Sequence, residues 1–146
     1  MSLCYLDTSA LAKRYINEAF SDDVDAYLAR QSTLLITDLT TAEMRSMLAR
    51  RRRDGEIDSS FENQAFAAYL DDIGQGHLVE RPLSPEILTG AVNVIGQHPD
   101  VPLRTLDAIH LASATHLGVE RIATADRRMR DAARAMDLAT DYFAEA

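Results

Sequence analysis

Short apolar runs alternate with longer segments of helical periodicity along most of this chain. Apolar runs of four to seven residues predict strands. They lie at 3–6, 34–37 and 121–124, with a short strand or extended piece at 77–83 and a further edge strand at 138–143. Apolar positions three and four residues apart predict helices between them. These helices begin at Thr8 or Ser9 and at Ser21, and then cover 40–53, 58–73, Ser84-Pro85 to Gly96, 104–117 and 126–136.

Residues at the helix ends support these boundaries. Thr8 or Ser9 and Ser21 carry hydroxyls of the kind that cap helix N-termini. Asp54-Gly55 suits a helix C-terminus. Strands separated by helices predict right-handed crossovers and a mainly parallel sheet. We therefore expect an α/β fold in which a central sheet of four to five strands is flanked by helices.

Four acidic residues stand at matching places in this pattern. Asp7 directly follows the first strand, and Asp126 follows strand 121–124. Glu43 lies in the first turns of the helix after strand 34–37, and Asp107 lies in the first turn of helix 104–117. Ligands of parallel sheets bind beyond the carboxyl ends of the strands, so the four side chains should meet there. Any one of these acids could simply favour a helix N-terminus, but four like charges at one edge are costly without a cation.

Oxygen donors without Cys or paired His favour a hard cation. Mg²⁺ or Mn²⁺ fits such a site best, with water completing the octahedron. Four carboxylates suffice for one or two ions, and two ions ~3.5–4 Å apart suit phosphodiester cleavage.

The surroundings of Asp107 allow two interpretations of His110. The segment TLDAIHLASATHLG is largely apolar or small, so its helix should be buried and Asp107 should need a partner. His110 follows three residues later and shares nearly the same helix face. It either hydrogen-bonds the Asp107 carboxylate without itself binding the metal, or is a hydrogen-bonded histidine of the core.

Composition narrows the class of protein. The chain has 146 residues, 47% of them hydrophobic, which fits a single folded domain over 1–146. No apolar run approaches the ~20 residues of a membrane helix, and MSLCYLD lacks the pattern of a signal peptide. The only cysteine, Cys4, lies in the first apolar run as an expected buried thiol. We expect a cytoplasmic protein without a membrane contact.

The formal net charge of −8 is unusual for a nucleic-acid-binding protein. It suits a protein that collects carboxylates around cations, and the basic residues are unevenly placed. Lys13, Arg14, Arg104 and Arg127 stand near the predicted acids and could contact phosphates, although solvated helix surface explains each equally well. The run Arg50–Arg53 ends a helix, where basic side chains also favour the helix dipole.

Four segments carry a resemblance to a known family. They are LDTSALAKRY at 6–15, TAEM at 41–44, LDAIHLASA at 106–114 and IATADRRM at 122–129. In this order and spacing they resemble PIN-domain ribonucleases, and specifically VapC-like toxins of type II toxin–antitoxin pairs. The segment 55–100 carries no such motif.

The resemblance implies a Rossmann-like α/β fold and an RNA endonuclease that depends on Mg²⁺ or Mn²⁺ and leaves a 5′-phosphate. The family's four acids fall on Asp7, Glu43, Asp107 and Asp126. Its supporting hydroxyls fall on Thr8, Ser9 and Thr124. The implied partners are an RNA substrate, a VapB-like antitoxin that blocks the acidic site, and a second copy in a homodimer. Arg50–Arg53 could then contact RNA or antitoxin.

Two other functions are compatible with an acidic α/β domain. A phosphoacceptor receiver domain needs paired acids after its first strand and a late lysine, whereas this chain has one acid there and no lysine after Lys13. A catalytically idle PIN module that only binds RNA or protein would be signalled by a missing acid, and all four are present.

Overall fold

Five parallel strands form one sheet in the computed structural model, which describes residues 3–146. The strands are β1 (Leu3–Leu6), β2 (Thr33–Thr37), β3 (Val79–Arg81), β4 (Arg121–Thr124) and β5 (Ala139–Tyr142). Their order is β3-β2-β1-β4-β5, and each neighbouring pair is parallel. The predicted parallel sheet is confirmed, and the last strand lies at an edge as expected.

Seven helices connect and flank the strands. They are α1 (Thr8–Tyr15), α2 (Ser21–Arg30), α3 (Asp38–Arg53), α4 (Ser59–Gly74), α5 (Pro85–Gln97), α6 (Thr105–His116) and α7 (Arg127–Ala135). The starts of α1 and α2 and both bounds of α3 to α7 agree with the periodicity to within one or two residues. At α4 and α5 the side chains of Asp58 and Ser84 accept the backbone N–H groups of Phe61 and Ile87.

The predicted caps of the first two helices are wrong. Thr8 and Ser21 are the first helical residues, and the capping positions belong to Asp7 and Phe20. Phe20 has a φ of 70°, in the left-handed region, which tightens the turn before α2. The Ser21 hydroxyl stabilises that turn instead of the helix, because it donates to the Ile16 carbonyl at 3.0 Å.

Two hydrophobic clusters cover the two faces of the sheet. Successive side chains of a strand point to opposite faces, so Cys4 and Leu6 pack in one cluster while Tyr5 packs in the other. The first cluster includes residues of α1 to α4, and the second includes residues of α5 to α7. Burial of both faces explains why the strands are continuously apolar instead of alternating.

The register of the central strands sets the site. Leu6 pairs with Ala123, and the Asp7 N–H continues the ladder by donating to the Ala123 carbonyl at 2.9 Å. Asp7 therefore lies beside Thr124 at the carboxyl end of the sheet. None of the helices within residues 3–146 combines the length and apolar character needed to span a bilayer.

Candidate active site

One cleft of about 660 Å³ opens at the carboxyl ends of the strands. All four predicted acids line it: Asp7, Glu43, Asp107 and Asp126. Thr8, Ser9, His110, Lys13 and Arg104 also line it, whereas Arg14, Thr124 and Arg127 are not among its lining residues. The expectation that the acids share one edge of the sheet is therefore met by their positions, although their roles there stay predictions.

Asp7 occupies the N-cap position of α1 without capping it. Its carboxylate makes no bond to the helix amides, and its backbone carbonyl accepts the Ala10 and Leu11 N–H groups instead. The side-chain oxygen Oδ2 accepts the hydroxyls of Ser9 and Thr124, each at 2.7 Å. Helix capping thus does not explain this acid, and the two hydroxyls fix its orientation in the cleft.

Burial makes the Asp7 carboxylate costly to ionise. The residue is only 6% exposed, and its removal from water raises its pKa above the usual range. The positive charge of His110 and the hydroxyls of Ser9 and Thr124 oppose this shift, and the negative charge of Glu43 adds to it. A buried anion without a full complement of counter-charge is an attractive place for a cation.

Glu43, His110 and Tyr5 form a chain of hydrogen bonds that runs from the cleft into the core. The His110 Nε2 atom lies 2.5 Å from Glu43 Oε1, and its Nδ1 atom lies 2.7 Å from the Tyr5 hydroxyl. The Thr8 hydroxyl donates to the same Glu43 oxygen at 2.8 Å. His110 is therefore a buried, hydrogen-bonded histidine whose carboxylate partner is Glu43. The predicted bond to Asp107 is wrong, because Asp107 pairs with Arg104 instead.

These contacts shift both partners towards their charged forms. Burial alone would lower the pKa of His110, but the Tyr5 oxygen, the bond to Glu43 and the charge of Asp7 raise it to about 10. Burial raises the pKa of Glu43, but the bond and charge of His110 outweigh it and bring the value below the usual range. The two side chains thus form an ion pair at neutral pH, with a buried imidazolium and a partly exposed carboxylate.

Arg104 bridges the other two acids. Its guanidinium donates to both carboxylate oxygens of Asp107, at 2.8 and 3.1 Å, and to Asp126 Oδ2 at 2.5 Å. The second oxygen of Asp126 accepts the Arg128 N–H at 2.8 Å, so this acid also caps α7. The Arg104 side chain is 54% exposed and is anchored chiefly by these carboxylates. Asp107 and Asp126 therefore share one arginine of the same chain, whose single charge offsets only part of theirs.

The donor chemistry of the cleft fits a hard divalent cation, and its arrangement shows what such an ion must compete with. Carboxylates and hydroxyls line the floor, and the only thiol, of Cys4, is buried elsewhere in the core. Among residues 3–146, no group of three or more His, Cys, Asp or Glu side chains is gathered closely enough to hold a metal ion. Arg104 and His110 supply two positive charges beside the four acids, and a metal ion would have to compete with them.

The predicted phosphate-contacting residues separate into distinct environments. Arg104 is held by the acids, as described above. Lys13 lines the cleft, but its ammonium group is bound to the Ala19 carbonyl and to Glu18. Arg14 lies on a different pocket, where it pairs with Asp72 at 2.9 Å. Arg127 is exposed at the start of α7 beside Asp126. The contact predicted for Arg14 thus has no support from its position.

The sequence pattern missed Tyr5, which lies beneath the cleft, and Glu18, which lines it. Tyr5 was assigned only to a buried strand, because nothing in LCYL distinguishes a core tyrosine from one that bonds His110. Glu18 lies between α1 and α2 and belongs to none of the motifs, yet it lines the cleft. Arg50 and Arg51 also line it, and they belong to the run that the resemblance already linked to RNA or antitoxin. The sequence could not distinguish Arg50 and Arg51 from Arg52 and Arg53, because it does not show which side of the helix faces the cleft.

Comparisons with known proteins agree with this arrangement. A family model described as PIN domain matches residues 4–135. Ribonuclease VapC46 of Mycobacterium tuberculosis (strain ATCC 25618 / H37Rv) is 35% identical over 142 residues, covering 95% of this chain and 96% of that protein. The crystal structure of M. tuberculosis VapC20, a sarcin–ricin loop cleaving toxin, has a TM-score of 0.70 at 16% identity over 88% of this chain and 94% of that one.

A second solved structure is DNA-bound VapBC from Salmonella typhimurium. It has a TM-score of 0.68 at 14% identity and covers 98% of this chain and 99% of that one. At these identities the two structures support the fold alone. The range matched by the family model includes all four acids of the cleft.

Proposed function

Because this chain belongs to the PIN-domain family, we propose that it is a metal-dependent RNA endonuclease that acts as the toxin of a VapBC-type toxin–antitoxin pair. The observation that carries this proposal is the meeting of Asp7, Glu43, Asp107 and Asp126 in one cleft. The 35% identity to a VapC ribonuclease over nearly the whole chain supports RNA as the substrate. The reaction is hydrolysis of a phosphodiester bond by water, leaving a 5′-phosphate.

Asp7, Asp107 and Asp126 would hold Mg²⁺ or Mn²⁺, with Glu43 as a further ligand or as the group that positions water. When bound, the ion lowers the pKa of a bound water and stabilises negative charge on the phosphate. No covalent nucleophile is required, and the burial of the Cys4 thiol agrees with that.

The protein's own residues prepare the acids for this chemistry. Ser9 and Thr124 fix Asp7 with two hydroxyl bonds, and Thr8 and His110 fix Glu43. These supports reduce the reorganisation required during the reaction. Arg104 competes for Asp107 and Asp126, and its half-exposed guanidinium is also close enough to the acids to meet a substrate phosphate when released.

The proposed partners are the RNA substrate, a VapB-like antitoxin that covers the cleft, and a second copy of the chain. The fold shared with DNA-bound VapBC supports the antitoxin. Exposed Phe61 and Leu70 on α4 offer apolar surface for a protein contact. Cytoplasmic RNA is the substrate pool that such a toxin would reach.

The test is cleavage of mixed cellular RNA by the purified chain in Mg²⁺ or Mn²⁺. Asp7→Asn and Asp107→Asn should abolish cleavage, as should EDTA. Asp131→Asn is the matched control, because Asp131 is an exposed acid that does not line the cleft. Cleavage that survives both substitutions or EDTA would refute the four-acid mechanism. RNA binding without cleavage by the wild type would instead favour the idle PIN module.

A further inference from the structure

The arginine run at the end of α3 divides between the cleft and the outer surface. Arg50 and Arg51 line the cleft, whereas Arg52 and Arg53 do not. The Arg52 guanidinium bonds Glu62 at 2.6 Å, which ties α3 to α4. The sequence treats the four arginines alike, but only two of them can act on a ligand in the cleft.

A carboxylate of the same chain is held between two cations on this wall. Glu18 accepts from Lys13 at 3.3 Å and from Arg51 at 2.9 Å, and all three residues line the cleft. Glu18 and Arg51 are partly accessible, with side chains 23% and 26% exposed. An ammonium and a guanidinium that together hold a carboxylate can also bind a phosphate group.

Arg50 adds a third cation that is available for a ligand. It is exposed, lines the cleft, and forms no ion pair with any residue between 3 and 146. It therefore faces the cleft with its charge uncompensated. This matters because the cleft floor is acidic and the whole chain carries a net charge of −8, so a polyanionic strand needs local positive charge to approach.

We propose that Arg50, Arg51 and Lys13 form a phosphate-binding wall for the backbone of the RNA strand, and that Glu18 occupies this wall in the free protein. A backbone phosphodiester displaces the Glu18 carboxylate from Arg51 and gains the charge of Arg50. The wall positions the strand beside the acids, and it reads the backbone instead of the bases. This inference rests on the proposed function, because it takes RNA as the substrate.

For Glu18 the proposal predicts a change in RNA affinity opposite to the usual one. Removal of a side chain from a binding site ordinarily weakens binding, whereas loss of the Glu18 charge should strengthen it. Glu56 supplies a matched control, because it also pairs with Arg51, at 3.2 Å, but does not line the cleft. A general effect of net charge would strengthen RNA binding equally in the Glu18 and Glu56 variants. Occupation of the wall by Glu18 would strengthen binding only in the Glu18 variant.

The experiment is fluorescence anisotropy of a labelled single-stranded RNA oligonucleotide of mixed sequence, in EDTA so that it is not cleaved, over a series of salt concentrations. Arg50→Gln should weaken binding about 3- to 10-fold and reduce the salt slope by roughly one. Arg53→Gln should match the wild type. Glu18→Gln should tighten binding several-fold more than Glu56→Gln does. In steady-state cleavage, Arg50→Gln should raise KM while kcat changes little.

The possible failures are distinguishable. If the wild type binds and cleaves RNA but Arg50→Gln and Arg53→Gln share its salt slope, the wall is refuted and the proposed function stands. If Glu56→Gln tightens binding as much as Glu18→Gln, occupation of the wall is refuted. If Arg50→Gln weakens capture of a co-expressed antitoxin but not of RNA, the wall binds protein. A wild type that neither binds nor cleaves RNA would overturn both proposals.

Discussion

Replacing Thr124 with valine removes one buried hydroxyl and keeps the shape of the side chain. Thr124 ends β4, is 0% exposed, and donates its hydroxyl to Asp7 Oδ2 at 2.7 Å. The Thr124 hydroxyl oxygen, Oγ1, in turn accepts the Asp126 N–H at 3.0 Å. One atom therefore supports two of the four acids, and no other hydroxyl within residues 3–146 bonds both of them.

The cost follows from these two contacts. A hydrogen bond to a charged group contributes about 1.5–3 kcal/mol, and an amide left without a partner costs about 1–3 kcal/mol when buried. Because the Asp126 amide lies near the cleft and can reach water, we expect Thr124→Val to lower the free energy of unfolding by about 2–4 kcal/mol. RNA cleavage should fall as well, since Asp7 loses one of the two hydroxyls that orient it.

The loss should depend on pH in a defined direction. The folded-state pKa of Asp7 is raised by burial, so its ionisation costs folding free energy as the pH rises through that pKa. Removing a hydroxyl that stabilises the anion raises the pKa further. The destabilisation should therefore be larger where Asp7 is ionised than where it is protonated, so it should shrink as the pH is lowered.

Thr37→Val is the matched control. Thr37 ends the neighbouring strand β2 and is equally buried; it holds the N-cap position of α3, and its hydroxyl bonds no carboxylate among the described residues. We expect a change of about 1 kcal/mol or less. Urea unfolding at constant m-value measures both variants. Equal midpoints for Thr124→Val and Thr37→Val would refute the role of the Thr124 hydroxyl.

Three further predictions concern other parts of the molecule. The pKa of His110 is raised from 6.5 to about 10, so its contribution to stability is complete below pH 6.5 and is lost as the pH rises through about 10. In His110→Gln, the free energy of unfolding measured against pH should lack this alkaline loss. Gly96→Ala should raise the free energy of unfolding by about 0.5–1 kcal/mol, because the site is open, whereas Gly90→Ala should gain less or lose, because its Cβ would lie 3.3 Å from Ala112 Cβ. Burial raises the pKa of the Cys4 thiol to about 11, so a thiol reagent should label Cys4 only after unfolding.

Each of these has its own control and contrary result. His116→Gln alters an exposed histidine and should keep the alkaline loss of stability; a wild-type curve identical to that of His110→Gln would contradict the ion pair. Equal stabilisation by both alanine variants would show that the contact between α5 and α6 relaxes freely. Rapid labelling of the folded protein would show that the β1 thiol is accessible.

The elements of this fold were predictable because they depend on neighbouring positions. Continuous apolar runs mark strands buried on both faces, and helical spacing marks the segments between them. That pattern placed β1, β2, β4 and β5 and all seven helices to within a few residues. It failed where a side chain had a second local hydrogen-bond partner. The Ser21 hydroxyl, for example, bonds the preceding turn instead of capping α2.

The shared position of the four acids was also predictable, because the carboxyl ends of parallel strands must lie at one edge. The partner of each side chain was not. Asp7 bonds Thr124 across 117 positions of sequence, and Arg14 bonds Asp72 across 58. Such choices depend on distances that exist only after the sheet has assembled.

The sequence by itself thus determined the parallel sheet, the helices that cover it and the edge at which the acids meet. Only the tertiary structure decided that Arg104 bridges Asp107 and Asp126, that His110 joins Glu43 to Tyr5, and that Arg50 faces the cleft while Arg53 does not. The physical reason is range. Backbone preferences and hydrophobic periodicity act over a few residues, whereas charges and hydrogen bonds are matched between groups that folding brings together from distant parts of the chain.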